Sequence, residues 1–318
     1  MNGNFAWHTS VPDGVSRNHT LSSELRYASI AQTRMVQFCR AEPGFSENMG
    51  DTVTIQRIRN TAEPLSAVLT ATGKIPIDSL AMSTKSITVS EFGRAIGFNR
   101  HAQILLNFDL EDPIQKSLLK QMKLTTDTVA AYQFKLAKVR YAPLSSNTGQ
   151  FTTDGGTTPA TALVNINVSH VQTIYDYMQD TLHVDPYEGE NYMALCSVKG
   201  CRGIKRDTEW QNWRTYLDPD VAHYNGEIGQ IENCRFIGVN HLNALANNKG
   251  TNGVLGEALF FGDDPVALAE IQPPELLMGI PSDFGRKRAI AWHGVLAFGI
   301  VWDTANDGEA RIVYVTSS

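Results

Sequence analysis

The fold is decided by GDTVTIQRIRNTAEPLSAVLTATGKIPIDSLAMSTKSITVSEFGRAIGFNR, residues Gly50–Arg100. Within it, Thr52–Arg59 and Ile87–Phe98 alternate between apolar and polar side chains, so each predicts a strand with one polar face. The connection Asn60–Ser86 is broken by prolines and a glycine, and it is longer than loops inside compact domains usually are. Two strands joined in this way form a long ribbon, which is marginal in water on its own and needs another surface. The alternative is an ordinary hairpin that folds back on its own core.

A long helix is predicted directly after this stretch, at Pro113–Arg140. Asp112 is a good N-cap, Pro113 suits the first helical position, and Gln115 lies where a capping box places it. Apolar residues recurring at spacings of three, four or seven form one stripe along the helix; they are Ile114, Leu118, Met122, Val129, Tyr132, Leu136 and Val139. A projecting β ribbon followed by a long helix indicates a protein that holds its copies together.

Composition indicates a folded globular protein. The 318 residues are 42% apolar and 19% charged, and 27 Lys+Arg stand against 33 Asp+Glu, for a net charge of −6. This mild acidity argues against a dedicated nucleic-acid binder, although one locally basic face remains compatible with it. We expect no transmembrane helix, no secretory signal and no contact with a membrane. The four cysteines are too few and too scattered for a disulfide scaffold, so we expect reduced thiols.

The N-terminal region carries a local positive charge. Thr20–Cys39 has apolar residues roughly on one face and predicts a helix capped by Thr20. The arginines of this region are Arg17, Arg26, Arg34 and Arg40. They indicate either a solvated helix face or an arm that lies over a neighbour or faces a polyanion.

The second half of the chain predicts mixed helices and strands. The predicted helices are Ser169–Leu182, Thr208–Leu217 and a short one at Val266–Ile271. The predicted β segments are Tyr192–Val198, Ile228–Val239, Ala258–Phe261, Ala289–Phe298 and Ala310–Val315.

The sequence contains no metalloprotease, nucleophile-elbow, dinucleotide-binding or phosphate-loop motif. Cys196 and Cys201, near His183, could be drawn as zinc ligands, but two buried residues flanking a turn explain them better. Asp218, Asp220 and His223 form either an acid/base cluster or a turn. The basic run Arg286–Arg288 is either a solvated loop or a nucleic-acid contact. We therefore predict no catalytic, cofactor-binding or metal residue.

The order of these segments resembles a tailed-phage major capsid protein with the HK97-type fold, in particular the N4-like coat-protein family. The resemblance is carried by Gly50–Arg100, by QMKLTTDTVAAYQF (Gln121–Phe134), by NGEIGQIENCRFIGVNHL (Asn225–Leu242) and by the C-terminal HGVLAFGIVWD and ARIVYV. It implies an α+β fold of five parts. These are an N-terminal arm at 1–50, an E-loop β ribbon at 51–105, a P-domain with a spine helix at 106–165, an A-domain at 166–250, and a return to the P-domain with C-terminal A-domain strands at 251–318.

The resemblance also implies a function. The chain would be the major capsid protein of a tailed double-stranded DNA bacteriophage, assembling in the host cytoplasm into the pentamers and hexamers of an icosahedral virion shell. It would need no cofactor and perform no catalysis. The alternatives are an encapsulin-like compartment shell protein and an uncharacterised α/β enzyme.

Contacts and partners follow from the same resemblance. The ribbon would lie across the adjacent subunit, and its mixed charges suit pairing and register between copies. We expect these contacts at Arg57, Arg59, Lys74, Asp78, Lys85, Glu91 and Arg94. The arm would lie on the inner face, where Arg17, Arg26, Arg34 and Arg40 would meet the packaged DNA without sequence specificity. A separate scaffolding protein and a portal are expected partners, and a decoration protein is a further candidate. No covalent cross-link between subunits is expected.

Overall fold

A computed structural model describes residues 27–43, 50–59, 61, 68–69, 73–105, 109–211, 227–303 and 309–318. In this part of the chain the elements follow one another as β1 Cys39–Ala41, β2 Thr52–Ile58, β3 Met82–Thr88, β4 Ser90–Asn99, α1 Arg100–Leu105, α2 Glu111–Lys135, β5 Val139–Pro143, β6 Gly149–Thr152, α3 Val168–Asp176, β7 Tyr192–Ser197, α4 Val198–Lys205, β8 Glu227–Ile231, β9 Cys234–Val239, β10 Ala258–Phe261, β11 Val266–Met278, β12 Lys287–Gly299 and β13 Ile312–Val315.

A seven-stranded mixed sheet forms the larger body, with the order β6-β5-β13-β10-β7-β9-β8. Its central strands are buried on both faces, which is why β7 and β10 are nearly uninterrupted apolar runs. One face is covered by α3 and α4, and Phe260 packs there. The other face is covered by α2 and by Met35 and Phe38 of the N-terminal segment, and Phe261 packs on that side. The sheet therefore lies between two apolar cores.

A second sheet of four strands has the order β1-β11-β12-β4. Its centre is the long antiparallel hairpin of β11 and β12, paired from Ala267 with Gly299 to Met278 with Ile290. Trp292 of β12 packs with Leu118 of α2 in a separate small core. Helix α2 thus contacts both sheets along its length.

Helix α2 is shorter than predicted from the sequence, and over its C-terminal half it buries a different face. It runs over Glu111–Lys135 with Leu110 at the N-cap, so Asp112 lies inside the first turn instead of capping it. The chain leaves the helix before Val139, which belongs to β5. Ile114 and Leu118 are buried as predicted, whereas Tyr132 and Leu136 are 61% and 45% exposed. The buried face continues instead through Asp127, Ala130, Ala131 and Phe134.

Two other local predictions are wrong. Val266–Ile271 is not a helix but the first half of β11, because its backbone pairs with β12. The described part of Thr20–Cys39 is not a regular helix: residues 27–34 are irregular and a single 3-10 turn spans Val36–Phe38. Residues 20–26 lie outside the described part of the chain.

The remaining predictions in the second half hold where the structure describes them. The helix predicted from Ser169 is α3, which continues as a π-turn to Thr181. The predicted strands correspond to β7, the β8–β9 pair, β10, most of β12 and β13. Residues 208–211 are helical, and the rest of that predicted helix is not described.

Candidate functional site: the β2–β3 ribbon

The ribbon exists, but its second strand is not the one predicted. β2 pairs antiparallel with β3, from Thr52 with Thr88 to Ile58 with Met82. The segment Ile87–Phe98, predicted as the return strand, instead lies mostly in β4 and pairs with β12. This pairing places Phe92 and Phe98 against the small core under α2, and it gives β4 a long backbone partner. The projecting ribbon therefore spans Thr52–Thr88.

Alternation of side chains gives the ribbon two different faces. Val53 and Ile55 of β2 and Ile87 of β3 point toward the body, where they pack with Ala267, Ala269, Ala297 and Val301. The opposite face is polar and exposed. There the hydroxyl groups of Thr52 and Thr88 lie 3.2 Å apart. A one-residue slip in register would exchange these faces, so the packing of Ile87 fixes the pairing.

The outer part of the ribbon exposes apolar side chains. Residues 73–80 have no regular structure and are all exposed. Ile75 is 71% exposed, Ile77 95%, Leu80 61% and Met82 60%. Contiguous exposed apolar surface on a soluble protein usually marks a contact with another molecule. The ribbon is therefore the first candidate for such a contact.

Four of the seven charged residues predicted to contact a neighbour have partners within their own chain. Arg57 and Lys85 both bind Asp303, with N–O distances of 3.0 and 2.6 Å. Arg59 pairs with Glu309 at 3.1 Å, and Glu91 with His293 at 2.8 Å. The three others, Lys74, Asp78 and Arg94, are exposed and form no ion pair with another described residue.

The N-terminal segment lies along α2. The Tyr27 ring lies 5.0 Å from the Lys116 ammonium, and Lys120 Nζ donates to the carbonyl of Ala28 at 2.5 Å. Arg34 donates hydrogen bonds to the Gly238 carbonyl and to the side-chain oxygen of Gln32. Burial lowers the pKa of the Arg34 guanidinium.

Of the four arginines predicted for an inner face, the structure describes two. Arg34 contacts its own chain, and Arg40 is exposed on β1. Arg17 and Arg26 lie outside the described residues.

A buried carboxylate joins three parts of the chain and was not predicted. Asp127 of α2 accepts the Met35 backbone N–H at 2.7 Å and pairs with His241 Nδ1 at 2.9 Å. Asp127 is fully buried. Its spacing of three and seven residues from Ala130 and Phe134 puts it on the buried face of the helix, and that spacing was the available signal. The contacts tie the N-terminal segment and the loop after β9 to the helix.

The structure describes only one of the two candidate chemical sites, the cysteine pair. Cys196 and Cys201 are buried in the core beside α4, and Cys201 Sγ lies 3.5 Å from the Cys196 carbonyl. Among the described residues no group of three His, Cys, Asp or Glu side chains could hold a metal ion. Asp218, Asp220 and His223 lie outside the described residues.

The basic run is partly engaged within the chain. Arg288 binds Glu111 at 3.2 Å, and Arg286 lies 3.8 Å from Asp283.

Comparison with solved structures assigns the architecture. The head structure of Helicobacter pylori bacteriophage KHP40 contains a chain that matches this one with a TM-score of 0.69, over 99% of this chain and 98% of that one. This chain has the HK97-type capsid fold. The cyanophage Pam1 capsid gives a TM-score of 0.69 over 97% and 98% of the two chains, and the capsid of Ralstonia phage GP4 gives 0.66 over 98% of each. Identities are 13%, 14% and 14% respectively, so the similarity is one of fold.

The likeness to known proteins is found in the structure and not in the sequence. No protein-family model matches the chain, and neither does any curated protein. The α+β fold class predicted from the sequence is confirmed by the phage structures. Within the described ranges, no helix combines the length and the apolar character needed to cross a membrane.

Proposed function

We propose that this chain is the major capsid protein of a tailed double-stranded DNA bacteriophage, and that its copies form the hexamers and pentamers of an icosahedral shell. The observation that carries the proposal is the match in fold to phage capsid chains over nearly the whole length of both partners. The exposed apolar ribbon supports it independently, because such a surface gains free energy when another chain covers it.

In this proposal the ribbon is the E-loop and lies on an adjacent copy. Ile75, Ile77 and Leu80 supply apolar contact area. Lys74 and Asp78 lie among them and form no ion pair with another described residue, so they are available to set register against the neighbour. Arg57, Arg59, Lys85 and Glu91 take a second place, because each already has a partner in its own chain.

The five-part division of the chain is proposed with changes at its boundaries. β5 and β6, from the range 106–165, and β10, from the range 251–318, go with the A-domain because they belong to the seven-stranded sheet. The E-loop proper ends with β3, and β4 belongs with the P-domain sheet because it pairs with β12. The spine helix of the P-domain is α2. The A-domain is built on the seven-stranded sheet, to which the C-terminal strand β13 returns.

The partners are proposed on the resemblance of the sequence to the N4-like coat proteins. They are a separate scaffolding protein, a portal and packaged DNA, which is contacted without sequence specificity at an inner face that includes Arg40. A decoration protein is a further candidate. Assembly would take place in the host cytoplasm, with neither catalysis nor a cofactor.

The test is to count copies. Native mass spectrometry and electron microscopy of the purified chain should find assemblies of five and six copies, or closed shells. An Ile77→Asp variant should fold normally but assemble at least about tenfold less, because a charge replaces an apolar contact. Ser79→Asp is the matched control, since it adds the same charge to the same exposed segment at a polar position, and its effect should be smaller.

Two results would contradict the proposal. One is a chain that stays monomeric at high concentration, both alone and with its scaffolding protein. The other is equal assembly of the two variants and the unchanged chain, which would contradict the ribbon contact at Ile77 but not the role as a shell subunit. Shells that hold cargo protein and no nucleic acid would instead support the encapsulin-like alternative.

A further inference from the structure

The base of the ribbon is held on the body by one carboxylate that contacts both of its strands. Asp303 Oδ1 accepts from Arg57 of β2 at 3.0 Å, and Asp303 Oδ2 accepts from Lys85 of β3 at 2.6 Å. Arg57 also donates to the Val301 carbonyl at 2.6 Å. Each strand of the ribbon is thus tied to the same short segment of the chain, residues 301–303.

These contacts are partly shielded from solvent. The Arg57 side chain is 11% exposed and that of Asp303 is 23% exposed. Trp302 lies beside them, with the guanidinium of Arg57 5.9 Å from its ring centre and that of Arg311 at 5.3 Å on the same ring. Hydrogen bonds between charged groups in such surroundings are stronger and less screened by salt than surface pairs.

A second ion pair lies just beyond the C-terminal end of β2. Arg59 follows β2 and binds Glu309 at 3.1 Å, and the Glu309 side chain is 9% exposed. Three cations of the ribbon therefore face two carboxylates of the body. Beneath them the apolar contact is small, because it consists mainly of Ile87, Val53 and Ile55 against alanines and Val301.

We propose that Asp303 is the positioning residue that fixes the direction in which the ribbon leaves the body. Apolar packing at Ile87 holds the ribbon down but allows it to pivot, since apolar contacts are not directional. Two cations on separate strands that meet one carboxylate remove that freedom. The inference rests on the proposed function. A ribbon fixed in this way meets a neighbouring copy at one angle, so less conformational entropy is lost on assembly.

The direction can be measured in the unassembled chain. Spin labels would be attached at Thr84→Cys, exposed on β3, and Glu190→Cys, exposed on the body. Cys39→Ser removes the partly exposed thiol, and the other three cysteines are buried. Double electron–electron resonance should give one narrow distance for this chain. Asp303→Asn should lower the ratio of docked to undocked ribbon by about tenfold or more, whereas Asp303→Glu should largely restore it.

The matched control is Asp185→Asn. It removes an exposed carboxylate that pairs with Arg311 at 3.5 Å, next to the same tryptophan but away from the ribbon. It should leave the distance unchanged. A narrow, unshifted distance in Asp303→Asn would overturn the proposal, as would equal broadening in the two variants or a broad distribution in the unchanged chain.

Assembly gives the second readout. Asp303→Asn should slow formation of assemblies while Asp185→Asn does not. Normal assembly of Asp303→Asn would refute the positioning role. A chain that forms no assemblies at all would refute the proposed function, but it would leave the distance measurement to decide the role of Asp303.

Discussion

Glu257 is a buried charge whose hydrogen-bonding capacity is used by four donors. Oε2 accepts from the Ala246 N–H at 2.7 Å and pairs with Lys135 of α2 at 3.0 Å. Oε1 accepts from the Tyr314 hydroxyl at 2.6 Å, and from Thr316 at 3.4 Å. Because the donors come from α2, β13 and the loop before β10, this carboxylate holds the helix against the sheet.

Removal of Glu257 is therefore expected to destabilise the chain strongly. Glu257→Ala leaves the Lys135 ammonium and the Tyr314 hydroxyl without an acceptor, which should cost about 3–5 kcal/mol of unfolding free energy. Glu257→Gln keeps the shape but turns an NH₂ group toward one set of donors, so its cost should be about 1–3 kcal/mol. Urea denaturation measures both. Glu190→Ala, at an exposed position, is the control and should change stability by less than about 0.5 kcal/mol.

His170 should make the stability depend on pH. The ring is fully buried, and the Tyr141 hydroxyl lies 2.8 Å from Nδ1. Burial lowers the pKa of His170, so the folded chain keeps the ring neutral below the pH at which the unfolded chain protonates it. The contribution to stability is complete above about pH 6.5, the usual histidine pKa, and falls as the pH drops below it.

The contribution of His170 is read from a difference between two chains. The unfolding free energies of this chain and of His170→Gln would be compared from pH 5 to pH 8. The unchanged chain should lose more stability on acidification, by up to about 1.4 kcal/mol for each pH unit below the usual pKa. Parallel curves for the two chains would contradict the assignment.

At the scale of the element, different residues of the ribbon contact the chain's own body and face away from it toward a neighbouring copy. Ile87 is 5% exposed, and it packs so closely that a Cβ added at Gly299 would lie 2.7 Å from it. Met82 lies on the same strand with its side chain on the opposite face. The first residue serves the chain's own body, and the second is available to a neighbour.

This separation predicts opposite results for two truncations. Ile87→Ala should raise hydrogen exchange of the β2 and β3 amides in the unassembled chain by on the order of tenfold to a hundredfold, because it removes most of the apolar contact under the ribbon. Met82→Ala should leave exchange unchanged but weaken assembly. The reverse pattern would show that the two faces have been assigned the wrong way round.

Local patterns predicted elements better than their pairing. The alternation in Thr52–Arg59 and the apolar runs of β7 and β10 are visible in a few residues, and these predictions are confirmed. The partner of β4 is β12, about two hundred residues further along, and no local feature of Ile87–Phe98 indicates it. Val266–Ile271 has residues that favour a helix, yet pairing with β12 overrides that preference.

The candidate site shows the same contrast between local features, which the sequence predicts, and long-range contacts, which it does not. The exposed ribbon was predicted from its polar face and its long connection, both of which are local features. Asp303 and Glu309, which hold its base, were not, because each is one acidic residue in the C-terminal region and only the fold brings it to Arg57 or Arg59. Asp127 shows an intermediate case, since its place on the helix face is readable but its partners are not.

At the scale of the whole molecule, two apolar cores share one sheet and should unfold together. Phe260 and Phe261 are consecutive, both fully buried, and point to opposite faces of β10. Phe260 packs against Phe236 on the side of α3 and α4, with ring centres 5.9 Å apart. Phe261 packs against Phe134 of α2 at 5.4 Å. Neither core can lose its packing while the strand between them keeps its place, because that strand forms one wall of each.

Phe260→Ala and Phe261→Ala form a matched pair that tests this coupling. Each should lower the unfolding free energy by about 3–5 kcal/mol, and each should shift one common transition in circular dichroism and tryptophan fluorescence. Trp210 lies in the first core, so fluorescence of a variant that retains only this tryptophan reports on that side, whereas circular dichroism follows both sides. Two separated transitions, with each substitution moving only the transition on its own side, would show that the sheet does not couple the cores. A single transition for both would mean that the two cores fold and unfold as one cooperative unit.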